Sequence, residues 1–128
     1  DPDKIREIEF WKKVASEGIT DQAVQKSAER FRSSLESLDK TLANNQYLLG
    51  NTISILDVAW FIYVNRLIFC GYPIKRLHPN VNKWLEPLHK RPEFAKEIIV
   101  SPELAKAVKA NHRRQQETKT TLVDVADL

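Results

Sequence analysis

A chain of 128 residues with 42% hydrophobic and 29% charged side chains has the balance of one globular domain with a single core, which excludes a disordered protein and two ordinary domains. One cysteine excludes an internal disulfide, and three glycines with no long alternating run leave helix as the default. The net charge of +3 and pI near 9.0 ask where the positive charge lies.

Asp1, Pro2 and Asp3 read as a helix start, with an acidic N-cap, proline at the first helical position and a second acid in the first turn. The helix is predicted to run to about Gly18. Ile5, Ile8, Trp11 (or the stem of the adjacent Lys12) and Ala15 recur at helical spacing, and Phe10 and Val14 widen that face. A face this wide predicts two neighbours.

Thr20 or Asp21 caps a second helix in which Val24, Ala28, Phe31, Leu35, Leu38 and Leu42 repeat at steps of four and three. The stripe spans about two and a half heptads, less than a free coiled coil requires, and predicts a seam in a bundle. Asn44 and Asn45 end it. Tyr47-Leu48-Leu49-Gly50 is then expected as an apolar connector packed beneath the next helix.

That next helix, opening after Ile53 and closing at Gly71, is the centre of the prediction. Ser54 is a good N-cap, and Asp57 three residues on can reach back to the Ser54 N–H. Ile53 and Val58 stand where a hydrophobic staple would close, and Gly71 with Pro73 supplies the stop. Ile55, Val58, Ala59 and Ile62 lie on one face, while Leu56, Trp60, Tyr63, Leu67 and Cys70 occupy others, so the helix is expected to be buried on nearly all sides. The run of about 16 residues contains Asp57, Asn65 and Arg66 and is too short for a bilayer span.

Beyond it, Pro79 suits a first helical turn, and Val81, Trp84, Leu85 and Leu88 form a stripe interrupted by Pro87, where a kink or early end is expected. Arg91-Pro92-Glu93-Phe94 starts another short turn. Ser101-Pro102-Glu103 caps a last helix through about Lys119, with Leu104, Ala105 and Val108 facing in and Lys106, Lys109, Arg113 and Arg114 facing solvent. The tail from Leu122 to Leu128 is apolar enough to fold back, and could equally be a mobile end.

The chemistry-bearing residues form no known catalytic pattern. There is no glycine-rich phosphate loop, nucleophile elbow, HExxH or paired-cysteine spacing. His78, His89 and His112 lack metal partners at helical spacing, and Cys70 reads as a small buried hydrophobe with only Arg66 one turn back. Trp11, Trp60, Phe61, Tyr63 and Trp84 read first as core. Residues 75–119 hold 11 Lys and Arg against 5 Asp and Glu, a basic stretch able to attract an anion. Without interleaved aromatics or a nucleic-acid motif, a solvated face is the simpler reading, and no nucleic-acid partner is expected. The residues alone therefore predict an all-α bundle of about five to six helices around a buried central helix, of unassigned role. A start at Asp1 with no Met predicts a piece of something longer, and no signal or lipidation motif points to a cytoplasmic setting.

Taken together, Tyr47-Leu48-Leu49-Gly50, Ile53-Ser54-Ile55-Leu56-Asp57, Pro79, Trp84 and Arg91-Pro92-Glu93-Phe94 resemble the C-terminal all-helical domain of cytosolic glutathione transferases. The resemblance runs from about residue 1 to 100 and implies one such domain over residues 1–128, with Ile53, Ser54 and Asp57 as the family's structural capping box. It implies a thioredoxin-like domain upstream, a homodimer partly formed by the first two helices, and glutathione as co-substrate in the parent, with no cofactor, no metal and no catalytic residue in this chain. Ile8, Trp11 and Lys12 from the first helix and Arg66 near the end of the core helix are then the candidate binding residues for a small hydrophobic electrophile. In the parent, the pKa of the glutathione thiol would be lowered so that its thiolate attacks the electrophile held against this helical wall, in detoxification or thiol transfer. The alternative that the resemblance leaves open is a non-catalytic interaction module of the kind appended to translation factors and aminoacyl-tRNA synthetases, toward which the basic 75–119 stretch leans.

Overall fold

The computed structural model describes residues 1–128 and is all-α. Asp1 accepts the Asp3 N–H at 3.0 Å and Pro2 takes the first helical position of α1 (Pro2–Glu17), which ends at Gly18 with φ of 71°. Thr20 accepts the Ala23 N–H at 3.2 Å and opens α2 (Asp21–Leu42). Ala28, Leu35 and Leu42 are buried, with Val24, Phe31 and Leu38 half-buried between them, so the expected seam is present. Asn45 Nδ2 donates to the Thr41 carbonyl at 2.9 Å and satisfies one of the last acceptors of α2.

α3 (Ile55–Phe69) is the central helix. Its stop is a Schellman motif: the Tyr72 N–H donates to the Leu67 carbonyl and the Gly71 N–H to that of Ile68, both at 2.9 Å, with Gly71 at φ 93°. The chain then makes α4 (Ile74–Leu77), α5 (Pro79–His89), α6 (Pro92–Ala95), a 3-10 turn (Lys96–Ile98), α7 (Pro102–Thr118) and α8 (Leu122–Ala126). The helices beyond the expected number are single turns. α5 passes Pro87 and ends two residues later, where Lys90 and Arg91 donate to the Pro87 and Leu88 carbonyls, so the proline's missing donor falls in the last turn. The tail folds back: Gln25 Nε2 donates to the Val125 carbonyl at 3.0 Å, Arg76 to that of Leu128 at 2.8 Å, and Leu122 and Leu128 pack on the core.

Three carboxylate or amide groups tie α5 to the helices around it. Asp57, fully buried, accepts four hydrogen bonds: Oδ2 takes the Ser54 N–H and hydroxyl at 2.9 Å, and Oδ1 takes the Leu48 N–H at 3.1 Å and the Trp84 indole N–H at 2.9 Å. One side chain therefore joins the start of α3, the connector and the middle of α5. Asp39 of α2 reaches across to accept the Asn80 and Val81 N–H groups at 2.8 and 2.9 Å, capping α5 from outside it. Farther along, Asn65 donates to the Phe61 carbonyl at 2.7 Å, which turns its Oδ1 toward His89 Nε2, also at 2.7 Å. His89 is thereby the Nε2–H donor.

α3 corrects the expectation of burial on nearly all sides. Only Asp57, Phe61 and Val64 are buried, whereas Ile55 is 82% exposed and Leu56, Val58, Tyr63, Ile68 and Phe69 are also exposed. One stripe meets α5 and α6, and this chain covers none of the rest to the same depth. Ile53 packs on the core while Val58 is exposed, so core contact is what holds Ile53. Leu48 is buried as expected of the connector, but Leu49, beside it in the two-residue turn closed by the Tyr47–Gly50 bridge, is exposed. On α7, Ala105 and Val108 are half-buried and Leu104 is exposed. Cys70 is exposed, not buried.

Candidate functional site

No residue of α1 is buried, and apart from the half-buried Val14 its apolar side chains form an exposed strip. Trp11 is 59% exposed, and Ile5, Ile8 and Phe10 are more than half exposed. The expected two neighbours are absent from this chain. Ile8, Trp11, Lys12 and Ala15, with Lys4 and Glu7, line one shallow hollow. All six come from one helix, so the hollow has a single wall and needs a second surface to close it around a ligand. Phe10 braces Trp11 edge-to-face, with ring centres 5.2 Å apart. Arg66 lies elsewhere, exposed in the last turn of α3 without an acidic partner, and no hydrogen bond or ion pair joins it to the α1 residues.

The buried titratable groups serve the fold. Burial raises the Asp57 pKa, but the Leu48 and Ser54 N–H groups, the Trp84 indole and the Ser54 hydroxyl outweigh it and hold the carboxyl below its ordinary 3.8. Tyr72 and His78 stack with rings 5.7 Å apart and share a hydrogen bond of 2.8 Å between the phenol and Nε2, while His78 Nδ1 has no partner. Burial lowers the His78 pKa from 6.5 despite the nearby Asp39 and Glu36 charges, with Arg32 adding to the lowering. Burial raises that of Tyr72. Either tautomer of neutral His78 leaves one polar atom unpaired, so adding a proton there is costly. No three His, Cys, Asp or Glu side chains converge on a point where a metal could sit, and no helix is long and apolar enough to cross a membrane.

These shifts set a pH dependence. His78, with its folded pKa below 6.5, contributes stability that is complete above 6.5 and is lost as pH falls toward the folded value. Asp57, folded below 3.8, contributes stability that is complete above 3.8 and is lost as pH falls through its own folded value. The urea midpoint is therefore expected to drop in two stages on acidification. His78→Gln should flatten the first stage alone; an unchanged slope below 6.5 in that variant would remove His78 as its source.

The capping box of Ser54 and Asp57 was readable from spacing, but the other partners were not. Two signals could have raised Trp84 as a candidate without pairing it to Asp57: a buried indole N–H needs an acceptor, and a carboxylate in an apolar helix needs donors. Nothing in the sequence links Asp39 to residues 41 and 42 positions downstream.

The family model for the glutathione S-transferase C-terminal domain matches residues 21–86, from the start of α2 into α5. A probable glutathione S-transferase of Oryza sativa subsp. japonica, GSTF1, is 33% identical over 78 residues, covering 59% of this chain and 35% of the rice protein. The chain thus spans about a third of the length of that relative. No solved structure matches. The matched region holds the α2 seam, the connector, the Ser54–Asp57 box and Trp84, the residues around which the observed bundle is built. The chain belongs to the glutathione S-transferase family and carries its C-terminal helical domain.

Proposed function

We propose that this domain supplies the apolar wall against which a small hydrophobic electrophile is held for glutathione conjugation or thiol transfer, in a parent whose thioredoxin-like domain binds and activates glutathione. The observation that carries the reading is the uncovered strip of Ile8 and Trp11 on α1, with the Lys12 ammonium beside it. An amphipathic helix whose apolar face is bare except at Val14 is the kind of surface that a partner covers. The thioredoxin-like domain and a second protomer meeting α1 and α2 would provide that cover. Arg66 joins the site only if the parent brings the end of α3 to the same ligand.

The test is made on the complete protein. Trp11→Ala should lower kcat/KM toward an aryl halide about tenfold, or roughly 1.4 kcal/mol of lost transition-state binding, with KM for glutathione unchanged. Equal activity in the variant would place the electrophile elsewhere. The 128-residue chain alone should show no conjugating rate.

A second reading, a non-catalytic interaction module, is favoured by α7. There Lys106, Lys109, Arg113 and Arg114 have no acidic partner in ion-pair range. A parent without an upstream thioredoxin-like domain would decide for it.

A further inference from the structure

A second concavity, sharing no residue with the α1 strip, lies between the last turn of α2, residues 45–47 and the outer side of α5. Its floor is apolar: Leu42, Trp84 and Leu88, all buried members of the core. The Trp84 ring is held in place because its N–H is committed to Asp57. Tyr47 and the amides of Gln46 and Asn80 contribute to the wall. At the rim stand Lys83, which has no acidic partner, and Arg91. Arg91 Nε is bonded to Glu93 at 2.8 Å, and its guanidinium sits 5.5 Å from the Phe94 ring centre, so the group is braced while its two terminal nitrogens remain uncommitted donors. No Asp or Glu lines the cleft.

These features select a ligand by chemistry. An apolar floor excludes a fully hydrated anion such as phosphate, and the unpaired Lys83 ammonium, with the free terminal N–H donors of an Arg91 whose charge Glu93 partly offsets, favours a negative end over a neutral one. The volume of about 220 Å³ is below the roughly 300 Å³ where drug-sized sites begin, which limits the apolar part to one ring. We propose that this cleft is a binding site for a single-ring aryl carboxylate, its ring on Leu42, Trp84 and Leu88 and its carboxylate between Lys83 and Arg91. The floor is built before any ligand arrives, so no helix has to move.

Phenylacetate is a suitable probe, titrated calorimetrically into the 128-residue chain with phenylacetamide and acetate as comparisons. Saturable binding with a Kd of about 1 mM is expected, weakened tenfold or more for phenylacetamide and for acetate. Lys83→Glu should weaken phenylacetate binding at least tenfold, and Lys83→Gln severalfold. Lys83 is exposed, so both variants should fold, which circular dichroism would check. Trp11→Ala and the charge-matched control Lys109→Glu should bind as the parent chain does. The site is overturned by no saturable heat up to about 10 mM, by binding that survives Lys83→Glu, or by loss in Trp11→Ala or Lys109→Glu. Acetate binding as tightly as phenylacetate would overturn the placement of the ring on the floor.

Discussion

Asp57→Ala is expected to destabilise the chain by about 4 kcal/mol, read as a fall in the urea midpoint, because it strands buried donors that have no second acceptor. The Leu48 and Ser54 N–H groups and the Trp84 indole N–H all end on this carboxylate. Each unpaired donor costs about 1 to 3 kcal/mol, and a cavity is left where the carboxyl stood. Ser54→Ala removes only the hydroxyl that donates to Oδ2 and should cost about 1 kcal/mol. Asp57→Asn should fall between them. With its oxygen toward Leu48 and Trp84, the new NH₂ faces Ser54, whose hydroxyl can turn to accept but whose backbone N–H cannot. The order Asp57→Ala, Asp57→Asn, Ser54→Ala is the result to look for. Equal losses for Asp57→Ala and Ser54→Ala would mean that Asp57 acts only as a local cap, not as the link between α3, the connector and α5.

How legible this was follows from distance along the chain. Ser54 and Asp57 stand three residues apart, and a contact within one helical turn needs nothing but helix geometry. Leu48 lies 9 residues from Asp57 and Trp84 lies 27 residues away, so their convergence depends on how the connector turns and how α5 crosses α3. Asp39 capping α5 is of the same kind. The α2 stripe was equally plain because a heptad repeat names both the buried face and its period. α3 and α1 were read correctly as apolar helices, but periodicity reports what a face requires and not which chain meets it. Trp11 and Ile55 are apolar and exposed, and no residue of this chain covers them.

That distinction can be measured directly on α3. Phe61→Ala is expected to cost about 3 to 5 kcal/mol, since Phe61 is fully buried and meets Phe94 and His89 edge-on, with ring centres 5.0 and 5.5 Å away. Ile55→Ser, six residues earlier on the same helix, should change the urea midpoint of this chain by no more than about 0.5 kcal/mol, because the side chain it removes is already in water. If α3 were buried all round, as its composition alone predicts, both substitutions would be costly. A large loss for Ile55→Ser that grows with protein concentration would instead mean that copies of the chain cover the face in solution. In the complete protein the same Ile55→Ser should become destabilising only if the parent's other domain or protomer lies against it. Comparing the two backgrounds therefore separates the part of α3 that folds this domain from the part left for assembly.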